Sequence, residues 1–199
     1  MTLEGFPENV TLRDGTVILF RPLQPDDGPA LLEFFRGLPE KDRLFLRDDV
    51  TKEEVVDRFV RHLDYEAVLP LIAEHQGRVV GDGTLHRNRH GWAAHVGEIR
   101  VVVAPEFQRR GLGTAIARLL VRHATSLGLD KLVAEVVDNQ IGAKRAFGKL
   151  GFYPEAVLKA HVKDIHGTKR DLVILANDVS QIWETMEAMV SDYSPAIEG

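Results

Sequence analysis

Seven consecutive residues, Gln108 to Thr114, form a glycine-bearing turn with the sequence QRRGLGT. The turn follows the apolar run Val101–Pro105 and precedes a segment in which apolar residues recur at helical spacing. Glycine permits close backbone approach and left-handed dihedral angles, and the first turn of a helix presents amide groups that have no intrahelical acceptor. Because the helix dipole favours negative charge at the same place, the turn is suited to a phosphate or pyrophosphate. We therefore expect a phosphorylated carrier as the first ligand.

The glycine spacing separates the known classes of phosphate-binding turn. The chain contains no G-x-x-x-x-G-K-[ST], which argues against a P-loop, and no G-x-G-x-x-G after a strand, which argues against a Rossmann dinucleotide site. The pattern present is Q-x-x-G-x-G, and with it the chain resembles the GNAT superfamily of acyl-CoA-dependent N-acyltransferases. A second family pattern, N-x-x-x-A-x-x-x-[YF]-x-x-x-G-F, is matched by Asn139, Ala143, Phe147 and Gly151-Phe152. The resemblance runs roughly from Val10 to Asp178.

The resemblance implies that the turn binds the pyrophosphate of coenzyme A, mainly through backbone amides. It also implies that the backbone of the preceding strand pairs with the pantetheine arm like an added strand and that an amide there holds the developing oxyanion. Arg109 and Arg110 are either phosphate partners or solvated side chains, and Asn139 either bonds the cofactor arm or caps a helix. The implied cofactor-binding residues are Val101, Val102, Val103, Gln108, Arg109, Arg110, Gly111, Leu112, Gly113, Thr114, Asn139, Ala143 and Phe147.

N-acyl transfer requires an amine to lose a proton, and Glu98 is the candidate base. It precedes the turn on the predicted central strand, close to where many members of the family place an acidic base, and its apolar neighbours would raise its pKa. Arg100 falls on the same face of a regular strand, roughly 7 Å away. An ion pair between the two, which would lower the pKa of Glu98, is the alternative. His86 and His95 are weaker candidates.

Phe147 departs from the family pattern, because many members carry a tyrosine there that protonates the sulfur of coenzyme A. Phenylalanine cannot donate a proton. Activity does not require such an acid, since a thiol with a pKa of about 8.5 leaves tolerably as a thiolate. Tyr153 is either a substitute acid or a partly exposed strand residue.

Composition narrows the function classes. The 199 residues include no cysteine, which excludes disulfides, thiolate metal sites and a cysteine acyl-enzyme. The eight histidines show no metal-ligand spacing, so no metal is expected, and the net charge of −5 argues against a general nucleic-acid-binding surface. No run is long and apolar enough to span a membrane, and the amino terminus lacks the features of a signal peptide. A cytoplasmic location is the expectation.

The order of predicted elements, ββ-αα-ββ-β-α-β-α-ββ, is that of a mixed α/β protein. The resemblance implies a GNAT fold with a mixed sheet of about seven strands, flanked by helices, that splays beside the long central strand Ala93–Ala104. Residues 1–178 are expected to form the GNAT domain, and residues 179–199 an added helix and tail on the same domain. The apolar side chains of this added helix either cover the sheet or pack against a second subunit, and in the second case the protein would be a homodimer. These side chains are Ile182, Met186 and Met189.

These observations predict an N-acetyltransferase that moves the acetyl group of acetyl-CoA directly to a primary amine of a small molecule or a protein lysine. The opening Leu12–Asp27 is similar to GNAT domains of some bacterial protein-lysine acetyltransferases. Acidic and basic residues alternate in the segments expected to meet the acceptor, so neither sign dominates. The alternative is a non-catalytic acyl-CoA-binding or sensor module, which Phe147 and a Glu98–Arg100 pair would favour.

Overall fold

The computed structural model describes residues 5–44 and 46–179, in which one mixed sheet carries all the strands. The strands are β1 (Glu8–Thr11), β2 (Val17–Pro22), β3 (Val68–His75), β4 (Arg78–Arg87), β5 (Val96–Val103), β6 (Lys131–Val137), β7 (Tyr153–Lys163) and β8 (Lys169–Asp178). The helices are α1 (Gly28–Gly37), α2 (Glu40–Arg43), α3 (Glu53–Arg61), α4 (Leu112–Ser126) and α5 (Ile141–Lys149). The predicted α/β class is confirmed.

The sheet has eight strands in the order β1-β2-β3-β4-β5-β6-β8-β7. The predicted order of elements contains eight strands, and the expected sheet had about seven; both strands of the amino-terminal hairpin join the sheet, β2 pairing with β3 and β1 with β2. Every neighbouring pair is antiparallel except β5 and β6, which run parallel. The one parallel step places β5 and β6 side by side with their carboxyl ends at the same edge.

The sheet splays between β5 and β6, as expected. The two strands pair over three residues only: Val96–Glu98 of β5 lies beside Lys131–Val133 of β6. Beyond that point β5 keeps its other neighbour, β4, up to Val103, and β6 keeps β8. The carboxyl-terminal halves of both strands therefore present open edges to each other. The central strand begins at Val96 rather than Ala93, because the preceding residues form a turn in which the amide of Val96 donates to the carbonyl of Ala93.

Helix α4 lies directly on β4 because two glycines leave room for it. A Cβ atom at Gly83 would come within 2.2 Å of Ile116 Cγ2, and one at Gly81 within 2.9 Å of Ile116 Cδ1. Ile116 and Leu120 are fully buried in this contact. The amino terminus of α4 is thereby fixed just after the open edge of β5.

The predicted helix and tail from residue 180 onward, with Ile182, Met186 and Met189, lie outside the described residues. The division into residues 1–178 and 179–199 stays a prediction. Within the described ranges no helix is both long enough and apolar enough to cross a membrane.

Candidate functional site

A cavity of about 900 Å³ opens at the splay and extends over the sheet face that lies opposite α4. Helices α1 and α3 supply an apolar side of its wall, and β4, β5 and β6 supply most of its polar groups. On β4 the side chains alternate: Asp82, Thr84 and His86 face the cavity, while Gly81 and Gly83 face α4. Their partners in register on β5 are Val102, Arg100 and Glu98, which also line the cavity.

Glu98 is bound by two guanidinium groups. Its Oε1 accepts hydrogen bonds from Arg47 Nη2 at 2.7 Å and Arg100 Nε at 2.8 Å, and its Oε2 accepts one from Arg100 Nη2 at 3.3 Å. Burial raises the pKa of Glu98, but the hydrogen bond and charge of Arg100, with the charge of Arg47, outweigh it and hold the pKa below its ordinary value. Glu98 is therefore ionised at neutral pH, with its lone pairs engaged. The Glu98–Arg100 pair is present.

Arg47 lies in the segment expected to meet the acceptor, but the sequence did not reveal its contact with Glu98. Its Nη2 also donates to Glu135 Oε2 on β6 at 2.6 Å, so one guanidinium group links β5 to β6 across the splay. It is separated from Glu98 by 51 positions and lies in a run of alternating charges. That pattern favours solvated side chains and contains no signal for the contact.

Neither histidine candidate is positioned as an effective base. Burial, followed by the charge of Arg100, lowers the pKa of His86 to about 4, so its imidazole is neutral at physiological pH. His86 Nε2 lies 3.0 Å from Thr84 Oγ1, which gives the ring a hydrogen-bond partner. His95 is exposed in the turn before β5 and does not line the cavity.

The glycine-bearing turn has a left-handed backbone at the start of α4. Gly111 is the N-cap of α4 with φ of +96°, and Arg109 also has a positive φ of 61°. A Cβ at Gly111 would meet nothing within 4 Å, so glycine is needed there for its backbone conformation. Leu112 is fully buried and leaves only its backbone available. The first-turn amides of this 15-residue helix, which include those of Gly113 and Thr114, have no intrahelical acceptors.

The polar side chains of the turn are mostly committed to other contacts. Arg110 is paired with Asp14 and donates to Thr16 Oγ1 at 2.6 Å, and its guanidinium lies 4.7 Å from the ring centroid of Phe107. Gln108 Nε2 donates to the carbonyl of Val103 at 3.3 Å. Arg110 therefore ties the turn to the β1–β2 hairpin. Arg109 is exposed and makes no ion pair with any residue in the described ranges.

Some residues of the second motif line the cavity and others lie on the surface. Ala143 and Phe147 line the cavity, and Phe147 packs edge-on against Phe152 with ring centroids 5.2 Å apart. Asn139 is exposed and does not cap α5, whose N-cap residue is Gln140. Tyr153 is 52% exposed, and among the described residues no tyrosine lines the cavity. Val101 and Val102 line it, whereas Val103 does not.

Asp82 is a cavity residue that the sequence did not reveal. The residue is half-buried and lines the cavity, and desolvation of its carboxyl group by the surrounding protein raises its pKa to about 7. Within the described ranges no group of three or more histidine, aspartate or glutamate side chains is arranged to hold a metal ion.

Comparison with known proteins gives a consistent result. Residues 32–152 match the family model described as the acetyltransferase (GNAT) family. The GNAT domain of S. lividans PAT is 21% identical with a TM-score of 0.75, over 89% of this chain and 99% of that one. The ribosomal-protein-alanine N-acetyltransferase of Brucella melitensis is 21% identical with a TM-score of 0.71, over 80% and 99%. The yncA protein of Salmonella typhimurium, solved with its cofactor acetyl-CoA, is 19% identical with a TM-score of 0.69, over 81% and 94%. These structures show a shared fold.

Proposed function

This chain belongs to the acetyltransferase (GNAT) family, and from that premise we propose that it moves the acetyl group of acetyl-CoA directly to a primary amine of a small molecule or a protein lysine. The observation that carries the proposal is an open β5 edge that lines one cavity with the ionised Glu98, followed along the chain by the amino terminus of α4. Acetyl-CoA supplies the activated acetyl group.

The residues around the splay fit such a co-substrate. The open edge of Val101–Val103 offers backbone groups to the pantetheine arm. The amides of the turn from Gly111 to Thr114 offer donors to the pyrophosphate. Leu112 contributes through its backbone, Arg109 is free to reach a phosphate, and Gln108 and Arg110 hold the shape of the turn. Ala143 and Phe147 line the side of the cavity that α5 supplies. Asn139 joins them only if its exposed side chain turns toward the arm.

Glu98 takes the proton from the acceptor amine. While Arg47 and Arg100 bind Glu98, they keep it ionised and lower its pKa. Their release of its oxygens frees a lone pair for that proton and raises the pKa of Glu98 toward the value that a general base needs. A backbone amide of the open β5 segment stabilises the oxygen on which charge develops. Since Phe147 cannot donate a proton and no described tyrosine lines the cavity, the sulfur leaves as a thiolate.

The acceptor must be a basic amine that reaches the cavity. The wall combines apolar residues from α1 and α3 with carboxylates and arginines, so it suits an amine with an aliphatic part. The name of the Brucella relative, ribosomal-protein-alanine N-acetyltransferase, keeps a protein amine among the acceptors to be tested.

The test is to titrate the protein with acetyl-CoA by calorimetry and then to follow CoA release with a panel of amines and lysine peptides. Binding with turnover supports the proposal. Binding without turnover across a broad panel would reject the enzymatic role, and no binding at all would reject the cofactor site as well.

A non-catalytic acyl-CoA-binding or sensor module is the second candidate. It is favoured by the two arginines that occupy Glu98 and by phenylalanine at position 147. It predicts stoichiometric tight binding of acetyl-CoA with no acetylated product, which mass spectrometry of the amine panel would detect.

A further inference from the structure

Asp82 differs from the other carboxylates of the cavity because it has no partner. Asp48 pairs with Arg58, Asp64 accepts the amide of Glu66, and Glu98 and Glu135 both pair with Arg47. Within the described ranges Asp82 accepts no hydrogen bond and forms no ion pair. The mechanism above gives it no role either.

The fold places Asp82 on the wall of the cavity. It stands on β4 opposite Val102, beside the open segment of β5. Helix α1 packs over β4 and contributes Leu31 and Phe35 to the apolar wall. Glu98 is opposite His86, four positions along the same pair of strands, which corresponds to about 13 Å at the rise of a strand. One nitrogen atom cannot contact both carboxylates.

A carboxylate in such a place lacks the counter-charge that would offset its loss of water. No cationic side chain of the described residues contributes to its titration, which burial alone moves upward. A cationic group brought by a ligand would supply the missing charge, and a charge-assisted hydrogen bond in a largely desolvated cavity is strong.

We propose that Asp82 binds a second cationic nitrogen of the acceptor, so that the preferred acceptor is a linear aliphatic diamine or polyamine. The inference rests on the proposed function: the reacting nitrogen lies at Glu98, and the other lies at Asp82. The methylenes between them contact the apolar wall that α1 provides. A monoamine leaves Asp82 unpaired and gains nothing from it.

The first test uses the wild-type protein with acetyl-CoA and a series of linear α,ω-diamines from putrescine upward, each compared with the monoamine of equal chain length. We expect kcat/KM for the best diamine to exceed that of its monoamine at least about tenfold, because only the diamine forms the second charge pair. Equal values throughout the series overturn the inference. This comparison requires no variant.

The second test uses Asp82→Asn, which keeps the shape and removes the charge. It should reduce the preference for diamine over monoamine by at least about tenfold. Asp57→Asn is the matched control, because it removes a carboxylate that pairs with Arg61 and does not line the cavity; it should keep the preference. Calorimetric titration of the diamine into the protein saturated with CoA gives the same comparison without turnover.

The outcomes separate the two proposals. An undiminished diamine preference in Asp82→Asn overturns the role of Asp82 while leaving an acetyltransferase. Turnover of monoamines and peptides with no preference for diamines also overturns the role of Asp82 and leaves an acetyltransferase. Absence of turnover with every amine rejects the proposed function itself, whereas tight diamine binding that depends on Asp82 would still support this residue as a cation site.

Discussion

The carboxylate of Glu98 must be ionised to accept a proton, and Arg100 and Arg47 keep it so while occupying its oxygens. We expect Glu98→Gln to lower kcat by about 10²- to 10⁴-fold, the usual contribution of a general base, with acetyl-CoA affinity changed little. CoA release and calorimetry measure the two quantities. Glu135→Gln, which removes the other carboxylate partner of Arg47, should have a much smaller effect. Full activity in Glu98→Gln would leave Glu98 as an ion-pair partner only.

The raised pKa of Asp82 predicts that the stability of the protein depends on pH. Its pKa rises from 3.8 to about 7 on folding. Between these values the unfolded chain has lost a proton that the folded protein keeps, so the free energy of unfolding falls as pH rises. The Asp82→Asn protein lacks this loss. The free energy of unfolding of the variant minus that of the wild type should therefore be greater at pH 8 than at pH 5, by at least about 1 kcal/mol. Urea denaturation at both pH values measures it. A pH-independent difference between the two proteins would contradict the shift.

At the residue scale, sequence reasoning found what local spacing encodes. The glycine turn and Glu98 were located from short patterns, and Phe147 was noticed because a tyrosine was expected there. The contact of Arg47 with Glu98 and the cavity position of Asp82 were missed because both depend on residues that are distant in the sequence. Arg47 meets Glu98 across 51 positions, and Asp82 shares its cavity wall with Leu31 and Phe35 of α1.

At the scale of elements, the packing of α4 on β4 depends on Gly83. Gly83→Ala places a Cβ 2.2 Å from Ile116 Cγ2, and we expect it to reduce the free energy of unfolding by about 1–3 kcal/mol, as overpacking does. Combining it with Ile116→Ala should cost less than the sum of the two single changes. Gly37→Ala, where no atom lies within 4 Å, is the control and should be nearly neutral. Urea denaturation of the four variants tests this. Additive costs would show that the cost of Gly83→Ala does not arise from the contact with Ile116.

The turn before α4 gives a prediction about binding. Gly111→Asp places a negative group where the phosphates are proposed to lie and should weaken acetyl-CoA binding more than about 100-fold, because a like charge replaces a favourable dipole. Gly91→Asp is the matched control: Gly91 has φ of +92° and open space around it, like Gly111 with +96°. Calorimetry of the two variants separates backbone strain from charge. Retained affinity in a folded Gly111→Asp protein would show that the turn does not bind the phosphates.

The order of elements and the splay were predictable because each strand and helix has its own period and because two motifs mark the family. Three details were not. The start of β5 moved to Val96 because residues 93–95 form a turn. The four-residue helix α2 (Glu40–Arg43) is too short to show a period. The Gly81–Gly83 contact with α4 involves a partner more than thirty positions away.

At the scale of the whole molecule, the sheet consists of two parts joined by a short parallel contact. β1 to β5 form one part and β6, β8 and β7 the other, and only three register pairs connect them. Gly97 lies in this contact, where an added Cβ would be 2.9 Å from each of three leucine side chains. Across the open remainder of the splay, Arg47 links Glu98 to Glu135. A ligand bound between the open edges of β5 and β6 would form a further connection between the two parts of the sheet.

We therefore expect acetyl-CoA to stabilise both parts of the sheet together. At a concentration one hundred times Kd, linkage predicts about 2.7 kcal/mol, which raises the Tm of a chain of this size by about 5–10 °C. Hydrogen exchange should slow at the amides of residues 99–103 on β5 and 134–137 on β6, since both lie at the splay. Gly111→Asp should show neither effect at the same concentration. Protection confined to the start of α4 would mean that the turn holds the phosphates while the rest of the co-substrate lies outside the splay, and the cavity would then serve the acceptor alone.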